Sequence, residues 1–305
     1  MSKPDDCSLT ASQSARVRAQ AEKVLREADA FGTFPTPVKD IMGAAKLVEA
    51  KDDIRAPGFL IGLREQVQKA GAKVRSALSK VMGLFLSSER LIFIDKSLLL
   101  VKQQFIRLHE TAHGFLPWQT PMYGLVEDSK EELDPETADL FDREANVFAS
   151  EVLFQLDTFS ERLADADFSI WSPVREAKKF GASNYAALRQ YVSKNPRDCT
   201  VVVLNKPEIT DDGFKISLRR FIQSTSFSER FGEIKWQEVF GPDDQIGQMV
   251  PLEGRRASGQ RDFLMYDKNK ETVVCRAEAF FTGHNVFVLI CTNDTLTAPR
   301  LLRAG

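Results

Sequence analysis

The stretch FIRLHETAHGFLPWQ, residues 105–119, holds two of the three histidines in the chain, His109 and His113, with Glu110 beside the first. Residues four apart on a helix lie one turn apart on the same face, so both imidazoles can be aimed at one metal ion. Glu110 then stands close enough to handle a proton on water held at that ion, which is the mechanical content of an HExxH motif. The bland alternative is a helix that happens to carry two histidines, and a third ligand decides between the two. A catalytic zinc site needs three protein ligands and one open position. The metzincin extension of the motif requires glycine at 116 and histidine at 119, whereas the chain has Leu116 and Gln119. A carboxylate on a later helix is the remaining source, and LFDREANVFASEV offers Asp142 and Glu144.

Helical geometry ranks these two. Phe141, Ala145, Phe148, Val152 and Leu156 form an apolar stripe. At about 100° per residue, Asp142 falls about 60° from the centre of that stripe, among Ala138, Ala145 and Ala149, while Glu144 points about 100° away, beside Glu151 and Gln155. This makes Asp142 the better metal ligand and Glu144 the solvent-side residue, with either able to complete the site. Tyr123, ten residues beyond His113, is a candidate oxyanion donor, with plain packing as its alternative. His284 lies in a turn and reads as a surface histidine.

The elements that must hold these residues follow from periodicity and punctuation. Ser12–Ala30 has the pattern of an amphipathic helix, with Ala15, Ala19, Val24 and Ala28 among its small apolar positions. The prolines of Phe34-Pro35-Thr36-Pro37 break the chain before a short helix through Ile41 and Leu47. Helical spacing recurs over Phe59–Val81, and short strands are expected at Leu84–Leu86 and Leu91–Asp95, around a turn at Ser87–Arg90. Leu98–Leu116 is helical and must end there, because Pro117 cannot continue it. Glu136–Leu156 is a second long helix. Short helical pieces fill Ser160–Asn195, where Gly181 at a turn and Ser183 as an N-cap give a helix-turn-helix-like outline. From Cys199 onward the texture is strand-like (CTVVVL, FKISLRRFI, DFLMY, TVVCRAEAFF, VFVLICT), and turns at Asp267–Lys270 and Thr282–Asn285 predict an antiparallel meander.

The expected class is therefore α+β, in three regions: a mostly helical domain with a small sheet over 1–157, a helix-turn-helix-like segment over 158–197, and an antiparallel β-rich accessory domain over 198–305. A length of 305 residues allows two buried cores. The net charge of -2 gives no field that would draw the whole molecule to nucleic acid or an anionic membrane. Charge is nonetheless uneven: Glu127–Asp142 holds eight acids, and Arg255, Arg256 and Arg261 cluster. Four scattered cysteines without a CxxC pair suggest reduced thiols, and no run is long and apolar enough to span a bilayer, so a cytoplasmic protein is expected. Asn184–Ser193 carries Arg189 as its one basic residue, which argues against direct DNA binding.

QQFIRLHETAHGFLPWQ followed by FDREANVFASEVL resembles the ImmA/IrrE family of metallopeptidases, in which an HExxH helix is paired with a later helix bearing E-x-E-A-N-x-F-A. The resemblance extends over roughly residues 35–195. It implies a zincin-like, cytoplasmic, zinc-dependent endopeptidase, with Mn2+ able to take the place of Zn2+. Several members cleave a helix-turn-helix transcriptional repressor and so release a stress response or mobile-element genes, which makes such a repressor the implied protein partner. Carried over position by position, the metal histidines fall on His109 and His113, the catalytic glutamate on Glu110, and the third ligand on Asp142. Aspartate there departs from the family's glutamate and is one methylene shorter. Family layout further implies a sensor-like module with a GAF-type sheet for residues 198–305. The rival reading is a non-catalytic regulator that uses the peptidase fold to bind a repressor or DNA.

Overall fold

The structure is a computed structural model that describes residues 8–51, 53, 83–123, 133–211, 213–252, 254 and 256–293. The helix expected over Phe59–Val81 lies outside the described residues. The chain divides into two compact units, one of residues 6–158 with 178–183, the other of residues 1–5, 159–177 and 184–305.

The first unit opens with α1 (Ala11–Glu27), whose N-terminus carries a capping box between Thr10 and Gln13. Its buried residues are Val17, Ala21, Val24 and Leu25. Ala15 and Ala19, named among the small apolar positions of this helix, are exposed. Valine and leucine bring far more apolar area to an interface than alanine does, and the helix turns them inward. A short α2 (Val38–Ala44) follows. The small sheet has the order β1 (Val48–Glu49), β3 (Leu91–Ile94), β2 (Gly83–Leu86), with β1 parallel and β2 antiparallel to β3. Both hairpin strands stand where the sequence predicts them.

Two long helices complete this unit. The motif helix α3 (Leu100–Phe115) ends where Leu116 turns extended, as a residue before proline must. Helix α4 (Pro135–Leu153) starts with Pro135 behind Asp134, whose side chain accepts from the backbone N–H of Thr137. Helix α4 packs against α3 on one side and α1 on the other, while β2 and β3 lie against α3. The HExxH helix is thus enclosed by sheet and helix, not laid on a surface.

Helices α5 (Thr158–Leu163) and α6 (Trp171–Phe180) follow, and α7 (Asn184–Ser193) leads into the sheet of the second unit; the left-handed turn between α6 and α7, with Gly181 at φ +71°, falls in residues 178–183 of the first unit. The strands are β4 (Cys199–Leu204), β5 (Glu208–Thr210), β6 (Gly213–Gln223), β7 (Val239–Phe240), β8 (Arg261–Tyr266), β9 (Thr272–Phe281) and β10 (Val286–Thr292). They run in the order β5-β6-β4-β10-β9-β8, with β7 on β6, and every pairing is antiparallel. The expected meander is present only over β8-β9-β10. Strand β10 then pairs with β4, so the two most apolar strands sit in the centre. Both are buried at every residue. One face carries a core including Val202, Val288, Ile290 and Phe227, and α7 packs on β4 and β6. Helix α7 buries Ala187, Leu188, Tyr191 and Val192, so the segment outlined as a recognition helix spends its apolar face on the sheet.

Candidate metal centre

Helix α3 presents His109 and His113 one turn apart, and α4 brings Asp142 to them. The two Nε2 atoms stand 3.2 Å apart, and His109 Nε2 lies 3.2 Å from Asp142 Oδ1. One ligand atom from each residue falls within a set no wider than 4.8 Å. Two donors each about 2 Å from a tetrahedral ion are separated by about 3.3 Å, so this spacing fits a divalent metal of zinc's size. The nitrogen and carboxylate donors also suit that ion.

The opposite edges of both rings are held by carboxamides. His113 Nδ1 donates to Gln119 Oε1 at 2.8 Å, and His109 Nδ1 lies 3.1 Å from Asn146 Oδ1. The Gln119 amide has little freedom to turn over, because its Nε2 donates to Glu144 Oε2 at 2.8 Å and to the Phe141 carbonyl at 3.2 Å, both obligate acceptors. Its oxygen must therefore face His113, which fixes the proton on Nδ1 and leaves the Nε2 lone pair for a metal. Glu144 is in turn held by Trp118 Nε1 at 2.7 Å and by Arg16 at 3.2 Å, with the guanidinium also 4.2 Å from the Trp118 ring centroid.

This overturns the expectation for Glu144. It is fully buried, whereas the Asp142 side chain is 60% exposed. The helical wheel assumed one buried stripe, but α4 is covered on two sides. On the flank read as solvent-facing, α1 supplies Arg16 to Glu144 and Arg18 to Glu151. Gln155, placed on the same solvent flank, is also buried, bonded to the Thr33 carbonyl and the Gly32 N–H.

Glu110 sits on α3 under strand β2. Burial raises its carboxyl to about 7, with Asp142 adding to the rise, while His109 and the Phe85 N–H oppose it. A Cβ on Gly83 would come 2.6 Å from Glu110 Oε1, so only glycine lets β2 lie this close to the carboxylate. Gly114 plays the same part further along α3, where a Cβ would meet Leu47 at 2.8 Å and Phe85 at 3.0 Å. Arg90, in the β2–β3 turn, donates to the Gly114 carbonyl at 2.9 Å, placing a cation at the C-terminus of the motif helix.

The remaining electrostatics agree with a ligand set. Burial, then the neighbouring His109, lowers His113 to about 3, so its ring is neutral. For His109, burial works against the charged form, but Asp142, Glu110 and Asn146 outweigh it and the net shift is upward. The hydrogen bond from His109 holds Asp142 below the ordinary carboxylate range. Tyr123 stands with its ring 4.9 Å from that of His113, beside Phe85 and Phe141. Burial first, then Glu110 and Asp142, raises its hydroxyl, which stays protonated and able to donate. His284 is exposed in the turn between β9 and β10 and belongs to the other unit.

Sequence reasoning had no role for Asn146, Gln119, Trp118, Arg16 or Gly83. Gln119 entered only as the residue standing where a metzincin histidine would be. Asn146 was quoted within the downstream motif. Gly83 carried no signal beyond being a glycine at the start of a strand.

The Peptidase M78 family model, described as the IrrE N-terminal-like domain, matches residues 67–190 and so contains the whole cluster. No curated protein sequence matches the chain. A solved Mycobacterium tuberculosis transcriptional regulator is similar at 13% identity, with a TM-score of 0.49 over 90% of this chain and 75% of that one. No helix among the described residues is long and apolar enough to cross a membrane. Residues 67–190 are thus similar to the IrrE N-terminal-like domain, in agreement with the ImmA/IrrE resemblance of the HExxH helix and its downstream partner.

Proposed function

We propose that the chain is a metal-dependent endopeptidase with His109, His113 and Asp142 as metal ligands, Glu110 as general base and Tyr123 as oxyanion donor. The observation that carries this reading is the pair of Nε2 atoms 3.2 Å apart, each ring turned toward the other by a carboxamide at its far edge. A divalent cation bound there, Zn2+ or Mn2+, supplies Lewis acidity that lowers the pKa of water and polarises the scissile carbonyl. Glu110, buried on the motif helix beside His109, is the carboxylate to accept the water's proton and return it to the leaving amine. The Tyr123 hydroxyl donates to the oxygen that becomes negative as the carbonyl is attacked. Asn146 and Gln119 hold the two rings in the required tautomer throughout.

The family resemblance supports a protein substrate, with a helix-turn-helix repressor as its class, and a zincin-like catalytic domain followed by a sensor-like β-rich module. Glu110→Gln removes the base while leaving all three ligands. The purified variant is expected to retain one equivalent of zinc or manganese and to lose the cleavage that the wild type performs on a protein in cell extract. It should also retain that protein as a trapped complex. Absence of bound metal in the wild type, or ordinary cleavage by the variant, overturns the reading.

A further inference from the structure

Strand β5, Lys206 and Pro207 before it, Pro251, Leu252, Gly254 and Arg256, and the far end of β9 line a half-open cavity of about 620 Å³ in the β-rich unit, which shares no residue with the metal cluster. Its size is that of a small-molecule site. The walls are mainly apolar: Pro207, Ile209, Leu252, Phe280 and Phe281. Ile209, on the edge strand, is 77% exposed and so offers its side chain to a guest. The charged residues lining the cavity are Lys206 and Arg256, both exposed, and no described carboxylate joins them. Neither cation makes an ion pair among the described residues, and no described acid lines the cavity.

The wall carrying Arg256 is built, not draped. The Phe281 N–H donates to the Arg256 carbonyl at 2.8 Å, and Ala257 forms a bridge with Phe280. Ser258 exchanges bonds with Ala279, its N–H donating at 3.0 Å and its Oγ accepting at 3.1 Å. Phe280 is backed by Trp171, ring edge to face at 4.8 Å. An apolar cavity whose described charged lining is two cations selects against cationic guests, and a neutral apolar guest would leave those charges unused.

We infer that this cavity binds a small monocarboxylate with an apolar body, its carboxylate placed between Lys206 and Arg256 and its chain or ring against Ile209, Leu252, Phe280 and Phe281. The inference stands apart from the peptidase reading, since no residue is shared.

The test is calorimetric titration of the full chain with octanoate and, separately, octanamide. Chelator-treated protein is used so that octanoate cannot bind as a metal ligand. Octanoate should bind saturably at one site, at least about tenfold more tightly than the amide, the difference reflecting charge-assisted contacts. Lys206→Gln and Arg256→Gln, both at exposed positions, should each weaken octanoate at least about threefold and leave octanamide unchanged. Ile209→Asp should abolish octanoate binding with the melting temperature preserved. Absence of saturable octanoate binding, equal affinity for the amide, or wild-type octanoate affinity in all three variants would overturn the assignment.

Discussion

His113 Nδ1 donates to Gln119 Oε1 at 2.8 Å, and this bond decides which nitrogen of His113 can meet a metal. The constraint comes from Gln119's other end, where Glu144 and the Phe141 carbonyl accept both hydrogen bonds from Nε2 and prevent the amide from turning over. A buried carboxylate that touches no metal ligand thereby sets the tautomer of one. Gln119→Leu, close in volume but without an acceptor, frees the His113 tautomer and strands a buried N–H. Zinc affinity should fall about 10- to 100-fold, the usual cost of losing such a partner. Competition against a chromophoric chelator measures it, and unchanged affinity would show that the bond is incidental.

Asp142 and Glu144 are separated by the same measurement. Asp142 lies 3.2 Å from His109 Nε2 and is largely exposed, while Glu144 is wholly buried and bonded to Trp118, Gln119 and Arg16. Asp142→Ala removes a ligand and should cost more than about 100-fold in zinc affinity. Asp142→Glu, which adds one methylene, should keep the metal. Should Asp142→Ala bind zinc as the wild type does, the third ligand is some other group.

Gly83→Ala tests the roof over the general base. The added methyl would stand 2.6 Å from Glu110 Oε1 and 2.6 Å from Ile106 Cγ2, so Glu110 must move. Overpacking of this kind costs about 1–3 kcal/mol. Peptidase activity should drop at least about tenfold, since a displaced base loses its reach, while zinc affinity stays within about twofold. Equal losses of metal and activity would instead indicate collapse of the whole site.

The difference between what was legible and what was not follows from where each residue's partners lie in the chain. His109, Glu110 and His113 are local: their spacing on one helix states the chemistry, and Pro117 states where that helix stops. Strands β2 and β3 and the C-terminal strands are equally local, being short apolar runs bounded by turns. The burial of Glu144 depends on α1, which begins more than a hundred residues earlier and contributes Arg16. A wheel drawn for α4 alone sees one apolar stripe and counts Glu144, Glu151 and Gln155 as its polar back. Only the second helix on that back makes them interior. The β4–β10 pairing is non-local in the same way, and hairpin turns carry no trace of it.

The β-rich unit should weaken in alkali for a reason that can be assigned to particular thiols. Cys199 and Cys291 face each other across the β4–β10 pair. Burial, followed by the neighbouring Cys275 and Glu278, pushes the Cys291 thiol up to about 12. Burial also raises Cys199, against the hydrogen bond with Ser224. Tyr191, on α7, is raised by burial and by both thiols. All three are acids that are neutral when protonated and whose folded pKa lies above the unfolded one. The folded state therefore holds its protons after the unfolded chain has released them. Stability is fully present below about pH 8.5, where unfolded thiols begin to ionise, and falls as pH rises toward 12. Each thiol contributes a slope of about 1.4 kcal/mol per pH unit within that window. Denaturant unfolding followed at pH 8, 9 and 10 should show the loss, and Cys199→Ala with Cys291→Ala should flatten it by about two thiols' worth. A double variant that keeps the wild-type slope would assign the alkaline loss to other groups, Tyr191 first among them.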